Sequence, residues 1–369
     1  MRIAYVALGI EPHNLAGGVG RKIHTQLQLW TESGHVTRLF ALVPQCADPE
    51  VYTYSAYSNL PGIKQASRAI SRSRALGKLI AEVQGLRPDI IYLRFGSYLY
   101  PLHRLFRIAP VVAELNSNDI AQRSLQGAYA YWLNFVTRAL VLRNVVGLIA
   151  VTGEIMRLPA NRRYGKPSCV IGNGIDLGRY DPLPAPRHAR PTLTLVGSPG
   201  MRWHGVDKLA YLARACPDLT VNIVGYGAKD LAYPLPANVK ASGLLNEAGV
   251  RAVLMETDVA CSSLALHRNR MEEGSTLKVP EAMAYGIPIL LAYRDTELSD
   301  LQSDCILQLP NTEDNVASHV DEIRSFAYRM LGRRLSREDV APCIDQRLKE
   351  KRRLAFFAQM MEQGQHATG

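Results

Sequence analysis

The chain has 369 residues, 47% of them hydrophobic, and a formal net charge of +10 at pH 7. This length suits two domains better than one, and the composition is globular rather than disordered or fibrous. Six cysteines without CxxC spacing argue against a zinc site or a disulfide framework and favour a reduced, cytoplasmic compartment. No segment approaches the roughly 20 apolar residues that a membrane-spanning helix requires.

The positive charge is confined to the first half of the chain. Residues 1–185 carry 21 Lys and Arg against 11 Asp and Glu, whereas residues 186–369 carry 22 of each. Five basic residues at helical spacing have no acidic residue among them: Lys64, Arg68, Arg72, Arg74 and Lys78. They indicate either a solvated helix face or a patch for anionic lipid or an acidic acceptor. No recognised nucleic-acid motif accompanies them, so nucleic acid is not an expected partner.

The first half alternates strand-like and helix-like segments, which favours an α/β fold. A predicted strand at 3–8 leads into the glycine loop 17–20 and a helix that ends near Trp30. Further strands are predicted at 37–42, 90–94, 111–114 and 148–152. The apolar segment 128–142 is predicted to be a buried helix, with Tyr129, Tyr131 and Trp132 in the core rather than forming a sugar platform.

The second half repeats this design after a proline-rich stretch. Four prolines within 182–191 predict an extended linker. A strand, a glycine loop and a helix then follow again, at 192–196, 197–200 and 205–216. We therefore predict Rossmann-like domains at 1–181 and 192–340, each binding ligands beyond the carboxyl ends of its strands.

A helical tail is predicted at 341–369, and packing back on the first domain is one option for it. Ser336 resembles the start of a capping box. The basic run 347–353 is interpreted as a solvated face.

Two carboxylates flank a short polar turn near the end of the second domain. Glu273 and Glu281 are separated by seven residues, with Gly274-Ser275-Thr276 between them and Gly286 and Pro288 after them. A helix that starts near Thr276 would present unpaired N–H groups and a positive dipole end, which together bind anions. Glu281 would then lie about a turn and a half inside the helix. This layout suits a nucleotide-sugar, which has hydroxyls on both sides of its phosphates.

Three motifs in this order resemble a known family. They are Gly17-Gly18 before a helix, Asn173-Gly174-Ile175-Asp176 before the linker, and Glu273 with Glu281, Gly286 and Pro288. Together they resemble retaining, nucleotide-sugar-dependent glycosyltransferases of family 4, with the GT-B fold of two Rossmann-like domains facing across a cleft. Trp203-His204-Gly205 and Tyr92-Leu93-Arg94 are similar to enzymes of bacterial cell-surface polysaccharides.

The resemblance implies a role for each matching position. Glu273 would contact the donor sugar and Glu281 the ribose, while the N–H groups of Ser275, Thr276 and Leu277, with Gly274 before them, would receive the diphosphate. Gly17 and Gly18 would let the first loop approach the diphosphate and acceptor. The base would be bordered by Gly225, Tyr226, Gly243 and Leu244.

Three positions depart from the family pattern. Ser198 stands where an Arg is usual, His204 where a Lys is usual, and Asn116 where many relatives have His. Arg202 and Lys278 would replace the missing cations, with His204 as a third candidate, and Asn116 would bond a sugar hydroxyl. Asp119 is expected either as a helix N-cap or as an acceptor contact. No cofactor or metal is expected.

The resemblance thus implies a metal-independent, retaining hexosyltransferase. It would move a sugar from a UDP- or GDP-linked donor to a glycan or lipid-linked acceptor in the cytoplasm, with peripheral attachment to an anionic membrane as a further expectation. Two alternatives remain open. One is a non-catalytic nucleotide-sugar-binding subunit, and the other is a sugar-nucleotide epimerase or phosphorylase on the same fold.

Overall fold

The computed structural model describes residues 1–8, 17–43, 53–54, 65–125, 127–231, 234–299, 301 and 303–366. The chain divides into two compact units, which we call the first domain (Met1–Gly172 with Gln346–Gly369) and the second domain (Asn173–Asp345). The division precedes the proline-rich stretch 182–191. That stretch belongs to the second domain because Leu183 donates its N–H to the Tyr285 carbonyl at 3.0 Å and is 3% exposed.

The first domain is built on a seven-stranded sheet in which every pairing is parallel, in the order β3-β2-β1-β4-β5-β6-β7. Its strands are β1 (Arg2–Leu8), β2 (Val36–Leu42), β3 (Thr53–Tyr54), β4 (Ile90–Arg94), β5 (Val111–Leu115), β6 (Gly147–Ala150) and β7 (Ser168–Val170). Its helices are α1 (Gly18–Glu32), α2 (Gln65–Leu86), α3 (Asp119–Leu125), α4 (Ala128–Leu142), α5 (Gly153–Arg157), α6 (Pro159–Arg162) and α13 (Gln346–His366). The strand order reverses between β1 and β4, as in doubly wound folds.

The second domain repeats this plan with six parallel strands, ordered β10-β9-β8-β11-β13-β15. Its strands are β8 (Thr192–Val196), β9 (Thr220–Val224), β10 (Val239–Gly243), β11 (Val259–Cys261), β13 (Ile289–Leu291) and β15 (Ile306–Gln308), with β12 (Glu273–Gly274) and β14 (Arg294–Asp295) forming a separate parallel pair. Its helices are α7 (Val206–Ala215), α8 (Glu247–Met255), α9 (Lys278–Ala284), α10 (Asn315–Ser318), α11 (Val320–Met330) and α12 (Arg337–Ile344). The order reverses between β8 and β11, which is where such sheets bind ligands.

The C-terminal helix α13 completes the core of the first domain. Phe357 is fully buried and packs against Trp30 and Tyr92, with ring centroids 5.6 and 5.2 Å apart. Met360 lies so close to Gly147 that a Cβ on this glycine would stand 2.7 Å from the methionine sulfur. The last helix of the chain is therefore a structural part of the domain that begins the chain.

The prediction of a solvated basic run at 347–353 holds for only part of the run, since Arg347, Lys351 and Arg352 are exposed. Lys349, Glu350 and Arg353 are at most 2% exposed. Arg353 forms a buried ion pair with Glu350 and donates from Nε to the Tyr92 hydroxyl at 3.2 Å. Trp30 Nε1 donates to Glu350 Oε2 at 2.7 Å. Burial of these charges is tolerated because each has oppositely charged or hydrogen-bonding partners.

Ser336 has the position predicted for it in a capping box, but not the hydrogen bond. Ser336 occupies the N-cap position of α12, but its side chain forms no capping hydrogen bond. The chain bends at Asp345, so that α12 ends in the second domain and α13 begins in the first.

Helix α4 also differs from the prediction of a buried helix with an aromatic core. Tyr129 is 79% exposed and Trp132 60% exposed, whereas Asn134 and Arg138 are at most 2% exposed. The polar pair turns inward because Asp119 lies there. Its carboxylate accepts from Arg138 Nε at 3.0 Å and from Asn134 Nδ2 at 2.7 Å. Asp119 itself is the first residue of α3, one position inside the predicted N-cap, and its carboxylate is bonded to Asn134 and Arg138.

The predicted basic stretch lies partly outside the described residues. Lys64 and the side chain of Arg68 lie outside the described part of the chain. Arg74 and Lys78 on α2 are exposed, whereas Arg72 is only partly so. Of the five predicted basic residues, two are thus seen to be exposed, namely Arg74 and Lys78.

We expect the Glu350→Ala change to destabilise the protein by about 3–5 kcal/mol, because it leaves the Arg353 guanidinium buried without its carboxylate. Urea unfolding would measure this loss. Lys351→Ala on the exposed side of the same helix is the matched control and should shift stability by less than about 0.5 kcal/mol. Equal effects of the two changes would contradict this assignment.

Candidate functional site

The strongest cluster of predicted residues lies at the carboxyl ends of β8, β9 and β11 in the second domain. Lys278 Nζ is 2.7 Å from His204 Nε2, and His204 Nδ1 is 2.7 Å from the Tyr226 hydroxyl. His204 and Tyr226 are 6% and 5% exposed, and Lys278 is partly buried. We call these three residues the Lys–His–Tyr cluster.

Burial sets the protonation of this cluster. It lowers the pKa of Lys278 to about 7, although the Glu281 carboxylate one turn later favours the charged form. Burial and the Lys278 charge together lower the pKa of His204 to about 3. His204 is therefore neutral at physiological pH, so that Nε2 accepts from a protonated Lys278 and Nδ1–H donates to Tyr226. The Lys278 ammonium group thus donates to the neutral His204 ring, which in turn donates to the Tyr226 hydroxyl.

Glycines allow the cluster to form. A Cβ on Gly197, just after β8, would stand 2.7 Å from the Tyr226 ring and 2.8 Å from His204 Nδ1. Gly225, just after β9, has φ +92°, and a Cβ there would lie 2.0 Å from the Gly197 carbonyl oxygen. No side chain fits at either position, so these two turns can approach only as glycine.

The loop before α9 is held by the Asn173 motif. Asn173 donates its backbone N–H to Ser275 Oγ at 2.7 Å, and its side-chain amide donates to the Ser275 carbonyl. Thr276 Oγ1 lies 3.2 Å from the Tyr293 hydroxyl, which in turn lies 2.9 Å from Ser262 Oγ at the end of β11. A Cβ on Gly274 would meet the Tyr293 ring at 2.7 Å, which explains the glycine. Sequence reasoning named Asn173 but gave it no role.

Helix α9 begins later than predicted. Its first residue is Lys278, with Leu277 at the N-cap and no side-chain cap. Glu281 therefore lies in the first turn rather than a turn and a half inside, three residues after Lys278, and both side chains line the same cavity. Among the described residues, no backbone carbonyl accepts from the N–H groups of Ser275, Thr276 or Leu277.

Glu273 lies on the short strand β12. Its side chain is 12% exposed, and Oε1 is 3.6 Å from Arg294 Nη2, opposite it on β14. The pairing with β14 fixes the backbone that carries this carboxylate.

Other predicted residues are not drawn into the cluster. Ser198 and Arg202 are exposed, and the Arg202 carbonyl accepts from Arg268 at 3.2 Å. Leu244 is 91% exposed, and Gly243 before it has φ +65° with open space where a Cβ would point. Gly17 is the N-cap of α1 and Gly18 its first residue, but residues 9–16 of their loop lie outside the described ranges.

In the first domain, Asn116 belongs to a buried charge network that sequence reasoning missed. Lys22 Nζ lies 2.8 Å from Glu114 Oε1 and 3.3 Å from Asn116 Oδ1. Glu114 also accepts from Tyr5 at 3.1 Å and from Arg94 at 3.2 Å. Although burial works to raise it, the charges of Lys22, Arg94 and Arg353 hold the pKa of Glu114 well below its usual range.

This network orients the Asn116 amide. Asn116 Nδ2 is buried without a hydrogen-bond partner among the described residues. Lys22 holds the amide oxygen at 3.3 Å. The spacing of Glu114 and Asn116 around the end of β5 was a usable signal, because alternate residues share one face of a strand.

In the described ranges, no three His, Cys, Asp or Glu side chains lie close enough to share a metal ion. Likewise, none of the described helices is long and apolar enough to cross a bilayer.

Residues 16–179 match the family model of Glycosyltransferase Family 4. No match is found among curated protein sequences. Similar solved structures cover nearly the whole chain. Sucrose-phosphate synthase from Thermosynechococcus elongatus is 15% identical with a TM-score of 0.70, and the likeness covers 98% of this chain and 99% of that one.

Two further structures share the fold. HepE of Anabaena, solved with UDP-glucose, is 15% identical over 97% of this chain and 99% of its own, with a TM-score of 0.60. The lipopolysaccharide outer core galactosyltransferase WaaB is 13% identical over 97% and 100%, with a TM-score of 0.63. The predicted α/β class and the two-domain GT-B glycosyltransferase fold are confirmed.

We expect Gly225→Ala to cost about 3 kcal/mol or more in the free energy of unfolding, because the new methyl group would overlap the Gly197 carbonyl. Gly243→Ala, also at positive φ but in open space, should cost about 1–2 kcal/mol. Chemical denaturation of both variants would measure the difference. A Gly225→Ala protein as stable as Gly243→Ala would show that the two turns do not approach as described.

Proposed function

We propose that the protein is a retaining glycosyltransferase that moves a hexose from a UDP- or GDP-sugar to a glycan or lipid-linked acceptor. The observation that carries this proposal is the Lys–His–Tyr cluster beside the loop 275–277, at the strand ends where nucleotides bind in such folds. The family-model match and the shared GT-B fold support it. The complex of HepE with UDP-glucose makes UDP-sugars the first donors to test.

In this proposal the second domain binds the donor. Lys278 Nζ and the N–H groups of Ser275, Thr276 and Leu277 receive the diphosphate, and Glu281 holds the ribose hydroxyls. Glu273 bonds the hydroxyls of the transferred sugar. Gly225 and Tyr226 border the nucleotide, while Ser198, Arg202, Gly243 and Leu244 remain predicted contacts.

The chemistry we propose is a front-face displacement. The acceptor hydroxyl attacks the anomeric carbon on the side that the diphosphate leaves, and the leaving phosphate oxygen takes the acceptor proton. The bond from the anomeric carbon to the diphosphate breaks as the new glycosidic bond forms. The enzyme then acts mainly by positioning and by stabilising the negative charge on the leaving group. A protonated Lys278 supplies that charge stabilisation, and Asn116 Nδ2 offers a donor for a substrate hydroxyl.

We further propose that transfer needs no metal ion and occurs at the cytoplasmic face of the membrane. Lys278 would supply the positive charge that a divalent cation supplies elsewhere. Activity that survives EDTA would support the first point. Loss of activity that only Mg²⁺ or Mn²⁺ restores would refute it.

Replacing Glu273 with Gln should reduce transfer by about 100-fold, because one contact to the developing charge at the reacting sugar is weakened. The measurement is release of UDP or GDP in the presence of acceptor. Glu272→Gln, the exposed neighbour, is the matched control and should leave turnover unchanged.

Near-wild-type turnover of Glu273→Gln would refute the role of Glu273. Donor binding without nucleotide release, across many acceptors, would identify a non-catalytic binding subunit instead. Conversion of the donor without any acceptor would identify an epimerase.

Donor affinity should depend on pH through Lys278. Its pKa is lowered to about 7, so the ammonium that binds the diphosphate is present below this pH and is lost as the pH rises. Affinity for the intact nucleotide-sugar should then fall by up to about tenfold per pH unit above neutrality. Calorimetry across this range would measure the slope. Lys278→Arg should flatten it, since guanidinium stays charged, and an unchanged slope in that variant would exclude Lys278 as the titrating group.

A further inference from the structure

Helix α4 is amphipathic, but its apolar side is exposed and its polar side is buried. Its outward side chains at helical spacing are large and apolar, and we call them the α4 apolar face: Tyr129, Trp132, Leu133, Val136 and Leu140. The opposite side buries Asn134 and Arg138. A helix on the surface of a protein normally turns its polar side to water. Here the inward polar pair is satisfied by Asp119 and by α6, so the apolar side is left on the surface by construction.

The exposure is substantial. Tyr129, Val136 and Trp132 are 79%, 68% and 60% exposed, and Phe135 at the edge of the face is 43% exposed. Single exposed apolar residues are ordinary, but a contiguous aromatic and aliphatic face marks an interaction surface. Tyr and Trp have the amphipathic rings that lie at membrane–water interfaces.

The surroundings of this face are basic. Arg143 at the C-cap continues it at helical spacing from Leu140 and Val136, and is exposed. Arg138 Nη1, on the inward side of α4, donates to the Ala160 carbonyl of α6, and α6 also carries the exposed Arg162. Between residues 120 and 175 the sequence has seven Lys and Arg but one acidic residue, Glu154.

We propose that the α4 apolar face docks the first domain on an anionic phospholipid bilayer, with its aromatic rings among the headgroups and Arg143 and Arg162 on the lipid phosphates. Apolar insertion and basic attraction add in such interfacial helices. A second copy of the chain fits less well, because a symmetric contact would bring two basic rims together. The proposed transfer reaction plays no part in this docking, so the two can fail separately.

The test uses the full-length protein and vesicles of phosphatidylcholine with or without phosphatidylglycerol. The wild type should sediment with the anionic vesicles, and less so at high salt. Trp132→Ser/Val136→Ser should weaken partitioning by about tenfold or more. Arg143→Gln/Arg162→Gln should weaken it about fivefold per cation removed. Brominated acyl chains should quench part of the wild-type tryptophan fluorescence, and this quenching should vanish without Trp132.

Matched controls remove the same groups elsewhere. Tyr211→Ser/Leu348→Ser deletes two other exposed apolar side chains, and Arg187→Gln/Arg190→Gln deletes two exposed cations of the second domain. Neither should change vesicle binding, and all variants should keep the thermal midpoint of the wild type. Absence of wild-type binding, or equal losses in the controls, would overturn the proposal. So would a dimer that Trp132→Ser/Val136→Ser dissociates while vesicle binding is unchanged.

Discussion

The close approach of two turns determines the candidate site in the second domain. The backbone at Gly225 comes so near Gly197 that only a hydrogen atom fits between them, and Gly197 in turn leaves room for the rings of His204 and Tyr226. His204 then presents Nε2 to Lys278. The position of the ammonium group thus depends on two glycines that precede it in the sequence by more than a helix and several strands. Because packed turns have few alternative arrangements, the site is organised before any ligand arrives.

In the first domain the main constraint is that several charged side chains are buried. Lys22, Arg94 and Arg353 surround the carboxylates of Glu114 and Glu350. Tyrosine, tryptophan and glutamine side chains supply further donors. Such networks add little net stability but strongly penalise the loss of any one partner. They also fix geometry. Glu114 stands two residues from Asn116 on the same strand end, so the network that joins α13 to the sheet also orients the amide proposed to meet the substrate.

Much of the fold was predictable because strand and helix periodicities and glycine loops are local signals. The strands 3–8 and 192–196 were placed within a residue. The departures at Ser198 and His204 directed attention to Lys278, whose Nζ lies 2.7 Å from His204 Nε2. Burial of Glu350 and Arg353 was not predictable, because their partners Trp30 and Tyr92 lie far away in sequence. The predicted orientation of α4 was wrong for a similar reason. Its pattern shows two faces, and only the position of Asp119 decides which one turns inward.

The central claim is that the Lys–His–Tyr cluster binds the diphosphate of a nucleotide donor. Titration calorimetry of UDP, GDP and the two unphosphorylated nucleosides, with the wild type and Lys278→Met at pH 6, tests it directly, since this pH lies below the Lys278 pKa of about 7. We predict that the preferred nucleotide loses at least about tenfold in affinity in the variant, as expected for one charge-assisted contact. Its nucleoside should bind both proteins equally. Equal nucleotide affinity in the two proteins would contradict the claim.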